Sequence, residues 1–150
     1  MLSYQEHALE GASAVDLVVA LYDGIIRFLH VAIDAVNQGD TTGRRIAVKR
    51  ALDIIIHLQA RLRVDVGGAP AQALSEFYAS VFAQILQASQ SASHEKFEHV
   101  IECVRNVRDA WRHVAREASP PALASSQPRN TRPAQFDAES RTLPISGWIA

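Results

Sequence analysis

Ala20-Leu21-Tyr22-Asp23-Gly24-Ile25-Ile26-Arg27-Phe28-Leu29 places an Asp-Gly pair between two apolar runs, among the strongest short-range signals for a β-hairpin. The flanks argue against a hairpin. Val18 to Tyr22 run without a polar interruption and Ile25-Ile26 are adjacent, so the alternation of a half-buried strand fails on both sides. The helical series Val15, Val18, Tyr22, Ile25, Leu29, Ile33 and Val36 instead crosses the glycine in register. Gly24 therefore sits inside a helix, at a cost of about 1 kcal/mol relative to alanine. Such a glycine marks close approach to the helix backbone, either by a neighbouring helix or by a bound polypeptide.

Working outward, the same period recurs three times: at Val48, Leu52, Ile55, Leu58 and Leu62; at Leu74, Phe77, Val81 and Ile85; and at Phe97, Val100, Val104, Val107, Trp111 and Val114. Ser13 is placed to cap the first helix, with Asp16 three residues on. Residues 39–43 separate the first helix from the second, Gly67-Gly68 close the second, and Pro70 suits the first turn of the third. Ser89 to Ser93 separate the third from the fourth. Short connectors make consecutive helices antiparallel neighbours, which predicts an all-α, up-down-up-down four-helix bundle over residues 1–118. Residues 1–12 form a short N-terminal cap segment of that domain. Five of the six prolines follow residue 119, and residues 119–150 read as a flexible, Pro/Ser/Ala-rich tail. Its Leu143, Ile145, Trp148 and Ile149 exceed what a solvating tail needs, leaving a second reading in which they dock on the bundle or a partner.

The 150 residues are 48% hydrophobic and 21% charged, with a net charge of -1. That balance offers no general attraction to nucleic acid or anionic membrane. The single cysteine, Cys103, forms no internal disulfide and suits a reducing compartment. With no apolar stretch of about 18 residues and no signal-peptide pattern at the start, the expected location is the cytoplasm.

Chemistry is sparse. No Glu-x-x-His occurs to build a di-metal bundle site. His99 and Cys103 stand four apart without a second ligand pair, and Cys103 reads as an inert core thiol. Gly67-Gly68 lacks the strand and lysine of a phosphate loop. The basic residues of the second and fourth helices read as solvated faces, with Arg105 paired to Asp109. No enzyme and no cofactor are expected. Apolar surface, by contrast, is in surplus: Leu17, Leu21, Phe28, Val31 and Ala35 make a second stripe on the first helix. Ile46, Ile54, Ile56, Val64 and Val66 extend the second helix beyond its main stripe, as Phe82 and Leu86 do the third. The chain or a partner must cover this surface; the N-terminal segment with Leu2, Tyr4 and Leu9 is one internal candidate.

Tyr4-Gln5, Ala12-Ser13, Leu17, Leu21-Tyr22-Asp23-Gly24, Arg27-Phe28 and Ala32 resemble the N-terminal signature of the FliS family of flagellar secretion chaperones, which bind flagellin. The resemblance continues through Ala51, Ile54-Ile55, Leu58, Gly67-Gly68, Leu74, Tyr78 and Val107-Arg108-Asp109-Ala110-Trp111, spanning residues 4 to about 116. It departs where the family usually has proline and this chain has Ala14, at His57 where glutamate is usual, and at Arg63 where aspartate or asparagine is common. The resemblance implies a bundle that binds the disordered C-terminal region of flagellin, prevents premature polymerisation and assists delivery to the export gate of the flagellar type III apparatus. It implies no cofactor; the expected state of the chain is a monomer or weak dimer. The alternative is a helical-bundle adaptor for another flagellar or secreted client. The residues expected at the partner surface are Tyr4, Leu21, Tyr22, Gly24, Ile25, Ile55 and Leu58; of these, period places Leu21, Tyr22, Ile25, Ile55 and Leu58 on a face that is either core or client-facing. The resemblance further suggests that the segment around Tyr4 occupies the groove until a client displaces it; alternatively, Tyr4 anchors a short helix to the bundle.

Overall fold

The computed structural model describes residues 2–118, and the side chains of residues 14–117. Four helices follow one another: α1 (Leu2–Gln38), α2 (Thr41–Ala60), α3 (Val64–Gln90) and α4 (His94–Ala118). Helix α1 packs on α2 and α4, and α3 packs on the same two, as an up-down-up-down bundle requires. The antiparallel register of α1 and α4 is pinned at two levels, by Asp23 with Arg108 at 2.9 Å and by Asn37 with His94 at 3.1 Å.

The predicted apolar stripes form the core. Val15, Val18, Tyr22, Ile25 and Leu29 of α1 meet Ile55 of α2, Ile85 of α3 and Phe97 and Val104 of α4. Among the described residues no polar or charged residue outside the tyrosines and Trp111 is buried, so hydrophobic burial drives assembly without an ionic penalty.

Three boundaries differ from the sequence reading. Helix α1 runs unbroken through Ser13, which therefore caps nothing; the N-terminal segment continues the first helix, while the side chain of Tyr4 lies outside the described residues, as does the whole of 119–150. Helix α2 ends at Ala60, well before Gly67-Gly68. Val64 and Val66 carried the apolar pattern onward, but they belong to a short turn that opens α3. Gly68 then breaks α3 with φ 64° and ψ −143°, a conformation essentially confined to glycine. Pro70 begins the regular part of α3 just beyond that kink, where its missing N–H costs nothing. At the other end of the bundle the Asp40 carboxylate caps α2 by accepting from Gly43 N at 2.9 Å, and Ser93 caps α4 by accepting from Lys96 N at 3.1 Å.

The close approach to Gly24 comes from α2. A Cβ at this position would lie 3.1 Å from Cδ1 of Ile54. The neighbour is thus another helix, and its contact atom is the movable end of a side chain. Gly24→Ala is expected to be near neutral, since about 1 kcal/mol of helix propensity is gained while Ile54 shifts by a few tenths of an ångström. Gly24→Leu overpacks the α1–α2 seam and should cost about 1–3 kcal/mol, read as a lower midpoint in thermal circular dichroism. Equal midpoints for the leucine and alanine variants would refute a closely packed seam.

Candidate functional site

Tyr22, Asp23 and Gly24 each reach a different neighbour from one turn of α1. Tyr22 points inward, and its hydroxyl lies 2.8 Å from that of Tyr78 on α3 and accepts from Trp111 Nε1 of α4 at 3.3 Å. The two tyrosine rings meet edge-on with centroids 6.2 Å apart. Asp23 points sideways and accepts from Arg108 at 2.9 Å and from Arg112 at 3.4 Å, both on α4. Gly24 receives Ile54 of α2. One tripeptide fixes α1 against the other three helices.

Burial raises the Tyr22 phenol far above its ordinary range, reinforced by Tyr78 and partly opposed by the indole of Trp111. Tyr78 is pushed up to about 12 by burial, with the Tyr22 contact working the other way. Both stay neutral hydrogen-bonding groups at physiological pH. Desolvation opposes the charge of Arg108, but hydrogen bonds to Asp23 and Asp109 outweigh it and hold the guanidinium above its usual value. The Asp109 contact belongs to Arg108 and Arg112, whereas Arg105 pairs with Glu102 at 3.4 Å, correcting the expected Arg105–Asp109 pair.

A shallow, largely apolar groove open to solvent lies between the helices, with Tyr78 and Trp111 in its lining. Ala14, Leu17, Val18 and Leu21 of α1 form one wall, and Leu58, Arg61 and Leu62 at the end of α2 form another. Leu74 and Tyr78 of α3 and Trp111 of α4 complete it. Three large side chains in this part of the chain remain open to water: Leu17 at 44% exposure, Val64 at 37% and Val66 at 53%. Among the described residues, Arg61 is the one ionisable side chain of the lining besides the raised Tyr78, and these residues supply no acid–base pair or nucleophile. A lining of leucine, valine and aromatic side chains suits the capture of apolar side chains.

The partner-facing residues expected from the sequence divide under this geometry. Leu21 and Leu58 line the groove. Tyr22, Ile25 and Ile55 are core, at 0–2% exposure, and Gly24 is covered by α2. Leu17, Leu62, Leu74, Tyr78 and Trp111 join the groove without having been singled out for it, although every one belonged to an apolar stripe or to the family signature. Part of the remaining surplus is absorbed at Phe28, whose ring lies 5.3 Å from the Arg27 guanidinium and 5.9 Å from that of Arg50. Cys103 is half-buried rather than core, with His99 Nε2 at 3.7 Å from its sulfur. No cluster of three metal-ligating side chains occurs among the described residues, and no helix there is long and apolar enough to cross a membrane.

An antiparallel helical bundle with an apolar groove is an architecture suited to receiving another polypeptide. The family model for flagellar protein FliS matches residues 1–118. The flagellar secretion chaperone FliS of Salmonella typhimurium is 32% identical over 115 residues, covering 76% of this chain and 85% of the relative. That of Vibrio cholerae is 32% identical over 109 residues, with 73% and 80% covered, and that of Bacillus subtilis is 23% identical over 112 residues, with 75% and 83% covered. The chain belongs to the FliS family, a family of chaperones and not of enzymes.

Proposed function

We propose that this chain is a cytoplasmic flagellar secretion chaperone that binds the disordered C-terminal region of flagellin, holds it from premature polymerisation and assists its delivery to the flagellar type III export apparatus. The observation that carries this reading is the groove of Leu17, Leu21, Leu58, Leu62 and Leu74, open to water in a bundle from a family of secretion chaperones. A disordered client ordering its apolar anchors as short helices would fill such a groove, with part of the gross interaction energy consumed by that ordering. Flagellin subunits associate through their terminal helices, so a covered terminus is withheld from the filament. No cofactor enters this mechanism.

Calorimetric titration of the full chain with a peptide from the C-terminal region of flagellin of the same organism should give sub-micromolar binding. A negative heat-capacity change should accompany it, the mark of buried apolar surface. Absence of heat at high peptide concentration overturns the assignment.

A further inference from the structure

The family match ends at residue 118, yet the chain continues for residues 119–150. The first part of this extension, SPPALASSQPRNTRPAQ, is dominated by Ser, Ala, Pro and polar residues, whereas the last part, RTLPISGWIA, gathers Leu143, Ile145, Trp148 and Ile149 within seven positions. Four large apolar residues concentrated at the far end of a polar connection are a ligand-like pattern. Among the described residues the core is drawn from the four helices.

The place where α4 ends supplies the second half of the argument. Trp111 lines the groove, and α4 continues to Ala118, about 10 Å further along the axis at 1.5 Å per residue. The antiparallel register set by Asp23–Arg108 and Asn37–His94 brings the last turn of α4 level with Ala14, itself a groove residue. The extension therefore leaves the bundle beside the groove. Residues 119–142 as a connection have a root-mean-square span on the order of 25–30 Å, more than the distance to be crossed.

We propose that residues Leu143–Ile149 fold back into the groove of their own chain and compete there with the client. This rests on the client reading above and adds its regulation. A tether of this length gives an effective concentration on the order of 1 mM. A segment with an intrinsic dissociation constant of about 0.1 mM would then fill the groove roughly 90% of the time, weakening the apparent client affinity about 10-fold. Tail and client cannot share the same leucine walls, so a tightly binding client expels the tail, and the tail recovers the groove after the client is handed on.

The test uses the full chain with leucine methyls labelled for NMR, compared with the L143S/W148S/I149S variant. The methyls of Leu17, Leu21, Leu62 and Leu74 should shift between the two, and a synthetic peptide of residues 134–150 added to the variant should restore the original positions. Calorimetry with the flagellin peptide should show about 10-fold tighter binding to the variant. Unchanged groove methyls, or shifts confined to another face, overturn the proposal. Shifts that vanish on dilution assign the groove to a second copy of the chain and overturn it equally. Equal client affinity for both proteins overturns the competition. If neither protein binds the flagellin peptide, the client reading fails while the methyl comparison still decides whether the tail occupies the groove.

Discussion

Tyr22→Ala is expected to lower the unfolding free energy by about 3–5 kcal/mol, a large part of the 5–15 kcal/mol typical of a domain. Tyr22 has no exposed surface and lies among the apolar residues of α1, α3 and α4, so truncation leaves a cavity that the packed bundle cannot fill by collapse. It also deletes the oxygen that meets the hydroxyl of Tyr78 and the indole N–H of Trp111. Tyr22→Phe keeps the ring and loses only the hydroxyl, at about 1–3 kcal/mol. The two variants separate packing from hydrogen bonding, and urea unfolding followed by circular dichroism reads both. A loss below 1 kcal/mol for the alanine variant would refute the keystone role. The same site sets an alkaline limit. Tyr22 and Tyr78 both have folded pKa values raised above the usual 10.0 of a tyrosine, so the stability linked to their protonation is fully present below pH 10 and is lost as pH climbs toward the folded values. Between pH 10 and about 12 the fall is about 1.4 kcal/mol per pH unit for each tyrosine. Tyr22→Phe should roughly halve that slope.

Much of this fold was legible in the sequence because the bundle depends on period. The stripe from Val15 to Ile33 is buried throughout, and so are Val48, Ile55, Val81, Ile85, Phe97 and Val104. The helix ends were harder to place. Val64 and Val66 continue an apolar pattern past the end of α2, because a pattern records side chains while the boundary is set by the backbone at Arg61 and Gly68. Ser13 has the chemistry of a cap, but the preceding residues are already helical and leave it no orphan N–H to satisfy. The groove was only partly legible. Period assigns Tyr22, Leu21 and Leu58 to apolar faces without saying which helix covers each one. Gly24 shows the gap clearly: its presence announces a close neighbour, and only the placement of Ile54 identifies it. The family signature at Tyr22-Asp23-Gly24 and Arg108-Asp109-Ala110-Trp111 now has a structural basis, since the two segments bond to one another across α1 and α4 through Asp23–Arg108 and Tyr22–Trp111.

Placing aspartate at both Leu17 and Leu21 is expected to weaken flagellin-peptide binding at least 100-fold while leaving the bundle folded. Leu17 is 44% exposed and Leu21 is half-buried, so neither anchors the core as Tyr22 does. A client that buries each leucine gains about 1.5–3 kcal/mol from the pair's apolar surface per residue, and the substituted carboxylates must in addition be desolvated to admit it. Two such losses exceed the 2.7 kcal/mol that corresponds to about 100-fold in affinity. Because a charged substitution on any exposed apolar residue could reduce non-specific adhesion, the informative control carries aspartate at Val31 and Ile56, which are 47% and 55% exposed and lie outside the groove lining. That control should bind the peptide within about 3-fold of the unmodified chain, a difference below 1 kcal/mol. Calorimetry gives the affinities and circular dichroism verifies that each variant keeps its helices. Equal weakening by both pairs would mean that the client adheres to apolar surface wherever it is offered. Loss confined to Leu17 and Leu21 would mean that the wall above Tyr78 and Trp111 is where the client is read.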